Sequence, residues 1–508
     1  MLAEKTASTT ADVVHTDVKL DSINEVTIED IQKKTLEAFS DEEILQNNIK
    51  LTHVLTRKLD RRLLPTLCVL YLLSYIDRSN IGNAKLGGLE EDLHMSFSEY
   101  QWSLSIFYFS YVLFELPSNI IMRRWRPSYW LGILMFAWGT VATAMAASTS
   151  FAGIAICRFL LGLFEAGFFP GVIYFMSLWY TRKEYGRRVG FFWSFSSLAG
   201  AFGGLIAFGI GQIKDDRLAT WQWLFIIEGV PSVVLAIFAS WYLPNKPETA
   251  KFLTEDERRL AVSRLAADAG GSNDHSWAWA QVASVFYDWK TYLYMLIYIL
   301  GTISLQGVTL FLPSIVANMG TWNKAVAQAL TVPPYFFAFI ATVAISWSSD
   351  RYIERAYHMI AINVVGLIGL LLLILLPVSR VSGLYCAACL VVISVYANVA
   401  VKVAWFNNNY GGLTRRAVAS AAIVSFGTIG GAIGGQIYYD PPHYVAGNTI
   451  ALSCMAAQTV IVIILRLLLA RENKRRDNFS EEQKELQIHK YGGVDLVGDR
   501  HWSFRYIL

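Results

Sequence analysis

Four charged side chains stand inside stretches otherwise built from apolar residues, and they set what chemistry this chain could do. Asp77 and Arg78 lie in Tyr71-Leu-Leu-Ser-Tyr75-Ile-Asp-Arg-Ser-Asn80-Ile-Gly-Asn83, while Arg158 and Glu165 lie seven residues apart in a second such stretch. On a helix that spacing places the latter two on nearly one face, about 10.5 Å apart along the axis. A guanidinium offers two parallel donors to a carboxylate, and a carboxyl two turns away can take up or release a proton. Burial and a neighbouring arginine pull a carboxyl's proton affinity in opposite directions, so Glu165 and Asp77 could switch when an anionic ligand competes for the arginines. The plainer alternative is a static ion pair, for instance Asp77 with Arg158, that only holds two helices together.

Weaker candidates surround these. Tyr75, Tyr108, Tyr111, Asn407 and Asn409 could hydrogen-bond a ligand, although such side chains also serve interfacial and interhelical roles. Lys402, late in its apolar stretch, reads as a side chain snorkelling to the nearer interface. Pro117, Pro170, Pro313, Pro333 and Pro334 interrupt helical stretches, as membrane spans tolerate. All five cysteines fall in apolar runs, so Cys386-x-x-Cys389 reads as packing and not as a metal or redox site. The polar segments carry no phosphate loop, nucleophile elbow or metal constellation; neither an enzyme nor a cofactor is expected.

The elements that must position these residues are membrane helices. The chain has 508 residues, 54% hydrophobic and only 16% charged, too apolar to fold as soluble domains. Stretches of about 20 apolar residues match the hydrocarbon core, and they fall near 63–84, 100–121, 128–147, 151–178, 188–212, 222–243, 289–314, 325–347, 357–377, 383–406, 417–438 and 448–469. The first sixty residues lack the apolar core of a signal peptide, so the first span is expected to serve as the targeting signal. Alternate loops are basic, holding Arg123, Arg124, Arg182, Lys183, Arg187, Arg188, Arg351, Arg355, Arg415 and Arg416, while the opposite set holds Lys85, Lys214, Arg217, Lys324 and Arg380. Basic loops stay cytoplasmic, which predicts both termini inside and an even number of spans. The net charge of +3 gives no global field for nucleic acid.

Two halves are expected. Ser194-Phe-Ser-Ser-Leu-Ala-Gly-Ala-Phe-Gly-Gly204 in the fifth span parallels Ser425-Phe-Gly-Thr-Ile-Gly-Gly-Ala-Ile-Gly-Gly435 in the eleventh, with six of eleven positions identical. This divides the chain into a tail (1–60), a six-helix bundle (61–245), a linker (246–287), a second bundle (288–470) and a second tail (471–508). In the linker, Thr254-Glu-Asp-Glu257 reads as a capping box opening a short surface helix. Asn478-Phe-Ser480 is a sequon in the second tail, expected to stay unmodified there.

Several motifs together resemble the major facilitator superfamily, and within it the fungal allantoate permease-like branch of the anion:cation symporters. They are Tyr75-x-Asp77-Arg78-x-Asn80-Ile-Gly-Asn-Ala-Lys85, Phe114-Glu-Leu-Pro117-Ser-Asn119, Arg158-x-x-x-Gly162-x-x-Glu165-Ala-Gly-x-x-Pro170-Gly171, Ser349-Asp350-Arg351 with Arg355, and the tail Gly498-Asp-Arg-His-Trp-Ser-Phe504-Arg-Tyr506-Ile-Leu508. The resemblance covers the chain from about Leu59 onward and is nearest to the nicotinate-permease group. Ile121-Met-Arg-Arg-Trp-Arg-Pro127 lacks the acid of the general superfamily loop motif, leaving Asp350 as the better latch, and Trp502 stands where the tail often has proline.

The resemblance implies an all-α fold of twelve transmembrane helices in two pseudo-symmetric bundles. It also implies import of a small organic anion together with protons, by a monomer in the lipid bilayer of the plasma membrane. In that reading Arg78 grips the substrate carboxylate and Arg158 organises the field. Tyr75, Tyr108, Tyr111 and Asn409 contact substrate, Asp77 and Glu165 carry protons, and Asp350, Arg351 and Arg355 gate. The branch handles nicotinate, pantothenate, biotin, allantoate and related ureido acids. The alternatives are a proton-driven exporter of drugs or secondary metabolites and a non-transporting nutrient receptor.

Overall fold

Among the described residues, twelve helical crossings carry the apolar stretches. The computed structural model describes residues 21–213, 217–268, 279–411, 413–480, 482–483, 486, 499, 501–502 and 504–508. Among the described residues, ten helices are long and apolar enough to cross a membrane. The other crossings are the eleventh, Leu413–Gly434, whose apolar part is short, and the first, the part of helix Asp21–Leu86 beyond Leu59. Ser74, Asp77, Asn80 and Asn83 dilute the first span's hydropathy, yet each is buried, so they face protein and not lipid. The compact unit runs from Leu59 to Leu508 and is the one described below.

Two spans are broken, each at proline. The fourth consists of Phe151–Glu165 and Phe168–Ser177; Pro170, in the first turn of the second piece, has no N–H to carry the hydrogen-bond ladder across the join. Glu165 is thereby the last residue of its piece. The eighth consists of Lys324–Ala329 and Val332–Tyr352, with Pro333 and Pro334 opening the second piece. In the seventh span, Trp289–Ala317, and the tenth, Val381–Asn408, 83% and 72% of the apolar window is buried, against 28% in the eighth, so these two form the inner wall of their half.

The halves interlock through the repeated glycine segment. An added Cβ at Gly200, in the fifth span (Arg182–Ile210), would lie 2.7 Å from the ring of Tyr335 in the eighth. The equivalent Gly431, in the eleventh, would place one 2.5 Å from the ring of Tyr108 in the second span, Phe97–Arg124. Real Cβ atoms do not approach so closely; each glycine receives a tyrosine from the opposite half, by the same device twice. One turn on, Gly204 faces Thr331 and Gly435 faces Leu104. Hydrogen bonds add to this seam: Gln101 Nε2 donates to Gln436 O (3.1 Å), Ser105 Oγ to Ala432 O (2.8 Å) and Gln328 Nε2 to Asn83 O (3.2 Å). All lie toward the distal end, opposite the proximal end where the first span begins and the twelfth, Val445–Asp477, finishes.

At the proximal end each half ties its own helix ends together. In the first half, Arg188 clasps Asp60 through Nε (2.6 Å) and Nη2 (2.7 Å), and Arg264 reaches Glu184 (2.9 Å) from helix Glu255–Asp268. That helix opens on the capping box read from the sequence, Thr254 N to Glu257 Oε2 (2.9 Å) and Glu257 N to Thr254 Oγ1 (3.3 Å). In the second half the tail folds back among the helices. Asp499 bonds Lys290 Nζ and, at 2.7 Å, Arg415 Nη1, while Asp288 lies 3.0 Å and 2.9 Å from the same two cations. Burial alone would push the Asp499 carboxyl up, but Lys290 and then Arg415 outweigh it and hold it below the usual carboxylate range. Arg476 donates to the carbonyls of Asp499 (2.8 Å) and Phe504 (3.0 Å), Trp405 Nε1 to that of Ile507 (2.8 Å), and the N–H of Arg355 to that of Leu508 (2.6 Å). The tail signature is thus a strap across the seventh, tenth, eleventh and twelfth spans.

Candidate functional site

Between the halves lies a cavity of about 40 Å³, room for a few water molecules. The first half supplies Tyr71 and Arg78 from the first span, Tyr108 and Tyr111 from the second, Phe169 from the fourth and Trp193 from the fifth. The second half supplies Tyr298, Thr302, Leu305 and Gln306 from the seventh, Val399 from the tenth, and Val424 and Thr428 from the eleventh. One wall is therefore aromatic and cationic, the other hydroxyl- and amide-bearing. Tyr71 stacks on Phe192 at 4.4 Å, and Phe169 meets Trp193 edge-on at 5.3 Å, flat surfaces of the kind that receive a ring.

Arg78 is the charged residue on this lining. Its guanidinium bonds Glu165 Oε1 through Nη2 (2.7 Å) and Nε (3.1 Å), and Ser74 Oγ donates to the same oxygen at 2.6 Å. Glu165 Oε2 is buried without a partner among the described residues. The pair is lopsided: one carboxylate oxygen accepts three donors and the other accepts none. Arg78 also lies 5.0 Å from the centroid of Tyr111 and 5.3 Å from that of Phe107, and Arg158 approaches Phe107 at 5.0 Å.

The remaining predicted residues divide. Arg158 does not line the cavity. It is fully buried and donates through Nε to Ser103 O (3.3 Å) and through Nη1 to Arg78 O (3.2 Å), fixing the backbone that carries Arg78. Asp77 points away, into the first half, where its Oδ2 accepts from Ser232 Oγ (2.6 Å) and Trp138 Nε1 (3.2 Å). The Asp77–Arg158 ion pair does not form among the described residues. Tyr75 joins the halves beside the cavity: its hydroxyl meets that of Tyr396 (3.1 Å), which meets Thr309 Oγ1 (3.0 Å). Tyr108 and Tyr111 line the cavity.

Asn409 stands outside the cavity lining. Its amide donates to Tyr294 Oη (2.8 Å) and exchanges bonds with Ile507 (2.8 and 2.9 Å), so the tail occupies it. Asn407 is likewise taken, by Val403 and Ser420. Of the loop motif, Arg355 bonds Asp350 (2.5 Å) and Ser349 (2.9 Å), both within the second half, while Arg351 is exposed beside Trp347. Lys402 does not snorkel. It is 2% exposed, and its ammonium sits 4.3 Å over the ring of Tyr298 inside the second half.

Two buried acids carry weight that the sequence reading left unassigned. Glu115, in the second span, faces Ser425 in the eleventh, across the seam between halves. Glu228, in the sixth span (Thr220–Tyr242), has both carboxyl oxygens buried without a partner among the described residues, one turn before the Ser232 that bonds Asp77. The criterion that singled out Asp77, a charged group at membrane depth, applies equally to the sixth span and finds Glu228.

The sequence profile of the Major Facilitator Superfamily matches residues 67–435. The chain is 34% identical over 479 residues to the MFS transporter prlL of a fungal species (strain NRRL 50135), covering 92% of this chain and 96% of that one. It is 35% identical to the MFS-type transporter cnsO of Penicillium expansum (89% and 90% covered) and 33% identical to the major facilitator-type transporter hxnP of Emericella nidulans (83% and 86%). In fold it is similar to the partially occluded, inward-open xylose transporter XylE of E. coli (TM-score 0.59, 13% identity, 78% and 96% covered). It is also similar to an inward-facing bacterial homologue of the lysosomal transporter Spinster (TM-score 0.58, 14% identity, 79% and 94% covered).

Proposed function

Since the chain belongs to the major facilitator superfamily, we propose that this multi-pass membrane transporter imports a small organic carboxylate together with protons, as in the anion:cation symporter branch. The observation that carries the reading is Arg78, which faces the cavity on one side and grips Glu165 on the other. A carboxylate entering the cavity competes with Glu165 for the same two guanidinium donors. Once released, Glu165 is a buried carboxylate with Ser74 as its remaining donor, and it takes up a proton. Loss of the substrate to the other side lets Glu165 give up the proton and return to Arg78. The sealed distal seam and the Glu165–Arg78 pair then belong to the same, substrate-free step.

Coupling has a physical reason. An inside-negative potential opposes each uncompensated anion by about 2.3 kcal/mol per 100 mV, and a co-transported proton offsets that charge. The reading places both termini in the cytosol and the protein in the plasma membrane, with basic loops inside. The aromatic wall favours a flat acid such as nicotinate over a branched one. The test is uptake of labelled nicotinate, pantothenate, biotin and allantoate, with and without a proton gradient. We expect at least one to be accumulated only with the gradient, and Glu165→Gln to equilibrate it without accumulating it. Accumulation by Glu165→Gln as steeply dependent on the gradient as in the parent would remove Glu165 from coupling.

A further inference from the structure

Lys402 carries a buried amine that no carboxylate among the described residues meets. Its Nζ is buried, hydrogen-bonds nothing among the described residues and pairs with no carboxylate there. The polar groups beside it are already committed to one another. Asn398 donates to Asn363 (2.6 Å), Asn363 to Gln458 Oε1 (3.2 Å), and Gln458 turns its own NH₂ to Ile297 O (2.7 Å), and none of these amides hydrogen-bonds the Lys402 nitrogen. Space for the ammonium comes from Gly301, where a Cβ would stand 2.8 Å from Nζ. What the ammonium does meet is the face of Tyr298.

That ring is also the cavity wall. Tyr298 and Thr302, on either side of Gly301, line the cavity, and so does Val399, one turn before Lys402 on the tenth span. Lys402 therefore stands one aromatic ring behind the lining of the second half. Across the cavity, Arg78 is neutralised by Glu165. The unmatched positive charge belongs to the half whose lining residues are all neutral. Unpaired charge at membrane depth is retained where a ligand or ion completes it.

We propose that Lys402 is a second anion contact, and that the ligand carries two acidic groups, one received by Arg78 and the other by Lys402 once the ring of Tyr298 swings aside. The inference rests on the carboxylate reading of Arg78 given above and narrows it to dicarboxylates. A two-ended acid touches both halves at once, so its binding draws them together; a monoacid engages one half.

The experiment measures binding to the purified full-length protein, using matched pairs: nicotinate against pyridine-2,3-dicarboxylate, and butyrate against succinate, with longer chain homologues. The parent is expected to bind at least one diacid ten-fold or more tightly than its monoacid partner. Lys402→Met is expected to erase that preference while leaving monoacid binding within two-fold, and Lys402→Arg to keep most of it. Ligand-free Lys402→Met should also melt above the parent, because it removes a buried nitrogen that hydrogen-bonds nothing among the described residues. A diacid preference that survives Lys402→Met, a parent that binds monoacids as well as diacids, or a lower melting temperature for ligand-free Lys402→Met overturns the inference while leaving the carboxylate reading intact. If no acid of either kind binds, the carboxylate reading falls and this inference with it.

Discussion

Asp499→Asn tests the strap, and its size can be worked from the contacts. Asp499 Oδ1 accepts from Arg415 Nη1 (2.7 Å) and Gly411 N (3.3 Å), and Oδ2 bonds Lys290 Nζ and Tyr506 Oη. Asparagine keeps the shape and removes the charge, leaving Lys290 and Arg415 to share Asp288. Breaking a buried pair costs ~3–5 kcal/mol, and the retained Asp288 favours the lower end. At ~1 °C per kcal/mol for a unit that runs from Leu59 to Leu508, detergent-solubilised protein should melt about 3–4 °C lower. A control sits on the same tail: Arg505 and Asp477 also pair (2.6 Å) but are 43% and 58% exposed, and Asp477→Asn should cost ~1 kcal/mol or less.

The pH dependence has a definite sign. A carboxyl held below its unfolded value stabilises above that value, and the contribution fades as pH falls through the folded one. The gap between parent and Asp499→Asn should be full at neutral pH and close as pH drops below about 4. Equal melting shifts for the two substitutions, or a gap that persists at low pH, would refute the assignment of the strap to buried charge.

Other predictions concern the site and the seam. Arg78→Lys keeps the charge but not the fork, so carboxylate affinity should fall by ~10–100-fold, measured by binding; unchanged affinity takes Arg78 out of the site. Gly431→Val drives a side chain into the Tyr108 ring and should block distal closure. Transport should drop at least ten-fold while cysteines introduced near Ser105 become reagent-accessible, and Tyr108→Ala should restore part of the loss. Retained transport with an inaccessible Ser105 region would mean the two rings are not the closing contact.

The fold was legible because lipid imposes it. Spans of a set length and a repeated glycine segment leave few architectures open, and the repeat reappears as paired glycine–tyrosine contacts. The site was half legible. Arg78 and Glu165 pair at membrane depth, while Asp77 and Arg158, just as deep, take hydroxyl, indole and backbone partners instead. Arg158 was placed by its spacing from Glu165 and Asn409 by residue type, and neither fixes the partner a side chain takes: one bonds backbone carbonyls, the other Tyr294 and the tail. Lys402 was read from its distance to the helix end. That distance cannot reveal that Gly301 on a neighbouring helix opens space for the ammonium.

The strap also bears on the order in which the molecule can assemble. Asp499 is translated after every helix that it braces, and until it leaves the ribosome Lys290 and Arg415 have Asp288 alone for company. The second bundle can insert and pack its lipid-facing surfaces early, but its inner end stays electrostatically unfinished until the final stretch arrives. A chain truncated before that point would be exposed to quality control as a late-stage assembly intermediate, with all its spans already in the bilayer.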